Sequence, residues 1–283
     1  MDNAILLISC PDKKGIIAKI SNFIYSHNGN IEHSDQHIDN YTNTFFMRIE
    51  WSLKDFTIAP KDIPESLKPL INEFDMHYDL YFTSRVPRVA IFVSKHLHCL
   101  YDLLLRYQSG QLNCEIPFVI SNHSDAKRIA DFFNIKFLEF PIEGNNKEVQ
   151  EREEINILKE ENIDLIVLAR YMQILSKEFV QNFPNRIINI HHSFLPAFAG
   201  KNPYRQAYKR GVKIIGATSH YVTEELDSGP IIEQDTVRIS HRDSLNDLVR
   251  KGEDLEKMVL GRAVRWHLER KILVYNNKTV IFD

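Results

Sequence analysis

The sequence predicts an α/β protein in two parts: a small ferredoxin-like α+β segment, then a larger, mostly parallel sheet flanked by helices. Three features predict it. The opening segment reads strand, helix, strand, strand, helix, strand. From Arg88 onward, short apolar strand candidates alternate with helical stretches, the pattern of a sheet covered on both faces. Beyond Gly211 two longer alternating runs follow one another with no helix between them, so the sheet is expected to finish in antiparallel pairing.

In the first part, Ala4 to Ser9 is a strand and Gly15 to His27 a helix. Strands follow near Ile31 to Ile38 and Thr44 to Trp51, then a helix from about Lys61 to Phe74 and a strand from His77 to Phe82. Pro60 and Pro64 flank the start of the second helix, and Ser84-Arg85-Val86-Pro87-Arg88 reads as a short linker. The expected domains are therefore 1–84 and 85–283. Strands of the second are Val89 to Val93, Phe118 to Ile120, Phe137 to Phe140, Leu165 to Leu168 and Ile187 to His191; Val212 to Val222 and Pro230 to Ile239 form the antiparallel end. A long helix from about Asp254 to Lys271 carries an apolar stripe of Leu255, Val259, Ala263, Trp266 and Leu268. The tail Ile272 to Phe282 reads as a hairpin about Asn276-Asn277.

Bulk properties exclude several classes. With 35 basic and 38 acidic residues and a formal charge of -3 in 283 residues, there is no field to draw nucleic acid or an anionic membrane. No apolar run approaches the length of a membrane span, and Met1-Asp2-Asn3-Ala4 lacks a basic leader, so residence in the cytoplasm is expected. Cys10, Cys99 and Cys114 are odd in number and unpaired in sequence, which predicts neither a disulfide framework nor a zinc site.

The chemistry concentrates late in the chain. Asn189 and His191 share one face of a predicted strand, roughly 7 Å apart, while Ile188 and Ile190 take the other. At a strand end facing a cleft, an amide and an imidazole at that spacing suit a carbonyl whose oxygen gains negative charge. Asp227, in Leu226-Asp227-Ser228-Gly229-Pro230, supplies the carboxylate that would keep the imidazole protonated and oriented. His191, His192, His220 and Asp227 are also metal-ligand types. Neighbours on a strand point to opposite faces, so His191 and His192 would not readily share an ion, and no metal is expected.

The elements Asn189-Ile190-His191, Thr218-Ser219-His220 and Asp227-Ser228-Gly229-Pro230, in this order and spacing, resemble those of the Rossmann-like formyltransferase-fold family, whose members carry them around a folate site. Within it, the whole chain resembles the formyltetrahydrofolate deformylases, which join an N-terminal ACT domain to a formyltransferase-fold domain. Cys10-Pro11-Asp12-Lys13-Lys14-Gly15-Ile16 with Asn28-Gly29-Asn30-Ile31 resembles the ACT loop and helix. Asn189-Ile190-His191-His192-Ser193-Phe194-Leu195-Pro196-Ala197-Phe198 resembles the deformylase form of the motif; purine transferases have proline at the position of His192. Where glycinamide ribonucleotide formyltransferases carry a Gly-Ser-rich loop that cradles the acceptor's phosphate, this chain has the bulky Ser94-Lys95-His96-Leu97-His98-Cys99, which cannot make that nest.

The resemblance implies hydrolysis of 10-formyltetrahydrofolate to tetrahydrofolate and formate, feeding one-carbon and purine metabolism. The alternative is formyl transfer to an amine acceptor of the glycinamide ribonucleotide type. Asn189, His191 and Asp227 would be catalytic. The backbone of Tyr171, Met172, Gln173, Ile174 and Leu175 would meet the pteridine, with Ile174 and Leu175 packed on it. Read from the residues alone, Met172, Ile174 and Leu175 fit a core equally well. Ser193 and His220 join the substrate-binding set, His220 either lining the cleft or bonded beneath it. His96 and His98 are either a solvated turn or part of the cleft wall. Asp12, Gly15 and Asn30 mark the expected amino-acid effector site between two ACT copies, although Gly15 can simply start a helix and Asn30 occupy a turn. No cofactor is expected, since the folate is the substrate. The expected partners are that folate, water, the effector and further copies of the chain in a homo-oligomer.

Overall fold

The computed structural model of the chain describes residues 2–144, 146–196 and 203–283. Ala197 and Phe198 of the long motif lie outside the described residues. Two compact units divide the chain: Met1–Val86 with Glu269–Tyr275 and Val280–Asp283, and Pro87–Leu268 with Asn276–Thr279.

In the first unit, β1 (Asn3–Pro11), β2 (Asn30–Asp39), β3 (Thr44–Ser52) and β4 (His77–Phe82) form one antiparallel sheet in the order β2-β3-β1-β4. That interleaved order is what a strand-helix-strand-strand-helix-strand chain produces when its two halves intercalate. Helix α1 (Ile16–Ser26) buries Ile16, Ile20 and Ile24, a spacing of four that places all three on one face. Helix α2 (Ile63–Phe74) buries Ile63, Leu67 and Phe74, with proline in its first turn, where a missing N–H costs nothing. These residues close over Leu6, Ile8, Met47, Ile49 and Trp51 of the sheet. On the other face, Leu7 and Phe46 pack with Leu273 and Phe282 of the terminal hairpin, β12 (Ile272–Tyr275) and β13 (Lys278–Ile281). Tyr275 also donates to Asp39 at 2.9 Å. The tail therefore completes the first unit's core from the far end of the chain.

The second unit holds a seven-stranded sheet. Its parallel part comprises β5 (Arg88–Val93), β6 (Glu115–Ser121), β7 (Lys136–Glu139), β8 (Leu165–Leu168) and β9 (Ile187–His191), joined on one side by β10 (Ile214–Tyr221) and β11 (Ile231–Arg238). The order is β11-β10-β9-β8-β5-β6-β7, with β9-β10 and β10-β11 antiparallel and the rest parallel; the β10-β11 pair is the one the run without an intervening helix predicts. The chain starts at β5, winds outward through β6 and β7, then crosses back to β8 on the other side of β5. Beyond the carboxyl ends of β5 and β8 two loops diverge, the place where open α/β sheets receive ligands.

Helices α3 (His98–Gln108), α4 (Lys127–Phe132), α5 (Lys147–Glu160), α6 (Lys177–Asn182), α7 (Pro203–Arg210) and α8 (Leu245–Leu268) cover this sheet. Helix α8 begins nine residues before the expected Asp254. Its start is a capping box with aspartate in the usual glutamate's role. Ser244 Oγ accepts from Asp247 N at 3.2 Å, and Asp247 Oδ2 accepts from Ser244 N at 2.9 Å. The charged run Arg250-Lys251-Gly252-Glu253-Asp254 masks the helical period across that first stretch.

Candidate active site

Strand β9 delivers Asn189 and His191 at its carboxyl end, and β10 lies antiparallel beside it with Thr218 opposite His191 and His220 opposite Asn189. A buried hydroxyl network fixes the chain leaving β9. Thr218 Oγ1 donates to the Ser193 carbonyl at 2.9 Å and accepts from Leu195 N at 3.1 Å, while Gln234 donates to both Thr218 Oγ1 and the Leu195 carbonyl. Ser193 is itself buried at 4% exposure, so its contribution is to this loop's packing.

Asp227 reaches the same place from the turn between β10 and β11. Its backbone is left-handed, φ 54°. Two residues on, a Cβ at Gly229 would stand 1.8 Å from the Tyr221 carbonyl oxygen, so only glycine lets this turn fold back on β10. The result is a carboxylate clasped by two imidazoles: Oδ2 lies 3.2 Å from His191 Nδ1, and Oδ1 lies 3.7 Å from His220 Nε2. Burial alone would raise the Asp227 carboxyl, but the His191 and His220 rings beside it, with the hydrogen bond from His191 foremost, outweigh burial and hold the group well below the ordinary carboxylate range.

With Nδ1 engaged, His191 presents Nε2 on its far side, buried and without a hydrogen-bond partner among the described residues. His220, 2% exposed, sits behind the pair. Its Nδ1 lies 2.9 Å from the Tyr221 carbonyl and its Nε2 lies 3.3 Å from the Asn189 amide nitrogen. That amide nitrogen only donates, so the ring nitrogen facing it accepts, which orients Asn189 and leaves its second N–H uncommitted.

The loop after β8 is stitched to the end of β5: Ser94 N donates to the Arg170 carbonyl at 3.2 Å, and Met172 N donates to Ser94 Oγ at 3.0 Å. Tyr171 turns into the core, 7% exposed and edge-on to Phe92 at 5.3 Å. Met172 and Ile174 turn outward, 53% and 61% exposed, leaving an apolar surface beside the cleft. Gln173 is half-buried, and Leu175 packs on the core of this unit. Lys147 donates from α5 to the Ile174 carbonyl.

The sequence reading named His192 and His98 but missed the buried cluster of Tyr204, Glu256 and Arg170 that joins them next to His191. The His192 ring lies 5.3 Å from that of His191 and 5.9 Å from that of Tyr204. Tyr204 donates its hydroxyl to Glu256 Oε1. The other oxygen of Glu256, a fully buried carboxylate on α8, accepts from His98 Nε2 at 2.8 Å and lies 3.4 Å from Arg170 Nε. Burial pushes His192 down to about 3, with the Arg170 charge adding to the effect. The available signals were an arginine closing an apolar run, Val167-Leu168-Ala169-Arg170, and a carboxylate inside the apolar stripe of α8. Among the described residues, His98, Cys99 and Glu256 bring ligand-type atoms within 4.8 Å of one another. An arginine on the same carboxylate competes with any divalent cation there, and Tyr204 occupies the second oxygen.

In the first unit, Gly15 caps the start of α1 with a left-handed φ of 96°, exposed and with open space where a Cβ would be. Asp12 N donates to the Asn43 carbonyl at 3.0 Å, and Asn30 opens β2, exposed.

A family model described as formyl transferase matches residues 87–264, and one described as ACT domain matches residues 4–50. The chain is 55% identical over 279 residues to formyltetrahydrofolate deformylase of a Synechocystis species, covering 99% of this chain and 98% of the relative. It is 47% identical over 283 residues to that of Bacillus subtilis, covering 100% and 94%. A crystal structure of a formyltetrahydrofolate deformylase from Pseudomonas syringae superposes with a TM-score of 0.97 at 47% identity, covering 100% of this chain and 95% of the other. A glycinamide ribonucleotide transformylase from Symbiobacterium toebii reaches 0.68 at 30% identity and covers 72% of this chain and 98% of its own. With deformylase relatives matched over 99–100% of the chain and the transferase over 72% of it, the chain belongs to the formyltetrahydrofolate deformylase family.

Proposed function

We propose that the chain hydrolyses 10-formyltetrahydrofolate to tetrahydrofolate and formate, with Asn189, His191 and Asp227 as the catalytic groups. The observation that carries the roles is the buried Nε2 of His191, unpartnered while Asp227 holds Nδ1. A buried polar nitrogen without a partner is costly, and a ligand oxygen redeems it. The family likeness over the full chain favours water over an amine acceptor, and the bulky Ser94 to Cys99 segment supports that choice.

Water adds to the formyl carbon, forming a C–O bond as the carbonyl electrons move onto oxygen. Asn189, through its second N–H, and the imidazolium of His191, through Nε2–H, stabilise that oxyanion. The Asp227 carboxylate on Nδ1 orients the ring so that its Nε2 edge faces the substrate. Asp227 takes the proton that the water sheds. A carboxylate held this low keeps it only briefly and passes it toward N10 of the folate, which departs with the C–N bonding pair. His220 orients Asn189, and the outward Met172 and Ile174 supply an apolar seat for the pteridine, with Tyr171, Gln173 and Leu175 supporting that loop. Ser193 holds the chain beyond His191. No cofactor enters this scheme.

The ACT domain takes an amino-acid effector at Asp12, Gly15 and Asn30 between two copies of the chain, which makes a homo-oligomer the working form. The enzyme acts in the cytoplasm, where its folate substrate is made and used. No helix among the described residues is long and apolar enough to cross a membrane.

The test is direct. Purified chain is incubated with 10-formyltetrahydrofolate and no acceptor, and formate and tetrahydrofolate are quantified. One-to-one release is expected; formate that appears only after an amine acceptor is added overturns the assignment.

A further inference from the structure

Arg170 is 7% exposed, yet its Nε and Nη1 have no hydrogen-bond partner among the described residues. Its backbone is left-handed, φ 66°, a conformation that costs a non-glycine residue of order 1 kcal/mol and persists only where the surroundings impose it. Those surroundings are a built hub. Glu256 anchors the guanidinium at 3.4 Å, and His98 and Tyr204 saturate the rest of the carboxylate. Tyr204 reaches Glu256 only because α8 carries glycine one turn earlier; a Cβ at Gly252 would stand 2.2 Å from the Tyr204 hydroxyl. Glu256 therefore fixes one side of Arg170, and Nη1, with two N–H donors, has no acceptor among the described residues.

The rings around this cation have no acidic character to offer it. Among the described residues His192, between Tyr204 and His191, makes ring contacts, and the His96 ring lies 6.5 Å from that of His98. Burial first, then the Arg170 charge, lowers the affinity of both His96 and His192 for protons. Neutral imidazoles beside an underused guanidinium can donate N–H groups to an anion but cannot neutralise the guanidinium themselves. The sequence His191, His192, Tyr204, Glu256, Arg170 also runs without a break from the oxyanion-stabilising group to this cation.

We propose that Arg170 Nη1, with His192 and His96 beside it, forms a subsite for a small planar monoanion, and that the formate released by the hydrolysis is its ligand. The inference rests on the hydrolytic reading above. A guanidinium and a formate match in planarity and charge, and the hydrogen bonds between them are charge-assisted. The subsite draws the carboxylate product away from His191 and leaves that ring free for the next substrate.

The probe is sodium formate, titrated into the full-length chain at constant ionic strength, with sodium chloride as the matched arm. Calorimetry reads binding, and formate added to the steady-state assay reads product inhibition. Formate is expected to bind and inhibit where chloride does not. Arg170→Met is expected to weaken both effects roughly 10- to 100-fold, the scale of lost hydrogen bonds to a charged group. Should that variant fail to fold, Glu256→Gln decides: it keeps an acceptor for Tyr204, meets the His98 ring with an N–H that the neutral imidazole can accept, and removes the charge opposing Arg170, so formate should bind more tightly. Equal affinity in wild type and Arg170→Met overturns the subsite. Weaker or unchanged binding in Glu256→Gln does the same, as does a wild type indifferent to formate over chloride. Hydrolysis in a wild type that ignores formate sinks this inference and leaves the reaction standing. Formate binding without hydrolysis overturns the reaction, and with it the assignment of formate as a product, and keeps only the anion site.

Discussion

Asp227 Oδ2 lies 3.2 Å from His191 Nδ1, and the opposite ring nitrogen is buried with no hydrogen-bond partner among the described residues. The contact fixes both where the ring proton sits and which edge of the ring faces substrate. Asp227→Asn presents either an amide N–H, which repels the Nδ1–H, or a neutral oxygen, which does not support an imidazolium. It also removes the group that receives the proton from water. Hydrolysis is expected to fall by more than roughly 1,000-fold, beyond the loss of a single oxyanion donor. Circular dichroism establishes whether the fold survives; near-normal turnover in a folded variant would refute the assignment of Asp227.

Asn189→Ala removes one oxyanion donor and is expected to lower kcat by roughly 100- to 1,000-fold with a smaller change in KM. His220 touches Asn189 at 3.3 Å and lies behind it, so His220→Ala acts by releasing that amide. About 10-fold in kcat corresponds to one orienting hydrogen bond of roughly 1.4 kcal/mol. The decisive measurement is the double variant. If His220 works through Asn189, adding His220→Ala to Asn189→Ala costs little more; full multiplication of the two losses would show an independent role.

Gly252→Ala tests the close approach of Tyr204 to α8. The added methyl stands 2.2 Å from the Tyr204 hydroxyl and Cζ, so Tyr204 must withdraw from Glu256. Alanine favours a helix by about 1 kcal/mol over glycine, yet overpacking costs roughly 1–3 kcal/mol and a buried carboxylate loses a donor. Net destabilisation is expected in a denaturant titration. A variant more stable than wild type would mean that Tyr204 has another place to go.

The two-part fold and the strands of the parallel sheet were legible because each strand is a short apolar run bounded by turn residues. Leu165–Leu168 and Ile187–His191 fall where the pattern places them. The meeting of Asn189, His191 and Asp227 was legible as residue types at motif spacing, but the distances depend on the Gly229 turn. What was not legible depends on long-range burial. Arg170 and Glu256 each look like a surface charge until β8 and α8 bring them together inside the unit. The start of α8 was hidden by its charged first turns. The return of Leu273 and Phe282 onto the first sheet leaves no local signal, because an amphipathic hairpin specifies a face and not the partner it will cover.

Glu154 offers a prediction at the level of stability. It lies on α5, 2% exposed, with Oε2 unpartnered among the described residues. Burial first, then the charges of Glu151 and Glu153, push its carboxyl from the ordinary 4.5 up to about 8. Between those values the folded chain holds a proton that the unfolded chain has released, so the contribution to stability is whole below about 4.5 and is lost as pH rises through about 8. Glu154→Gln keeps the shape and removes the titration. Its melting temperature is expected to match wild type near pH 5 and to exceed it by several degrees near pH 8.5, with a ceiling of roughly 3–5 kcal/mol at the alkaline end. The gap between the two melting curves must open with rising pH. A gap that stays constant from pH 5 to 8.5, or one that opens toward acid, would show that the buried carboxyl does not titrate in this window.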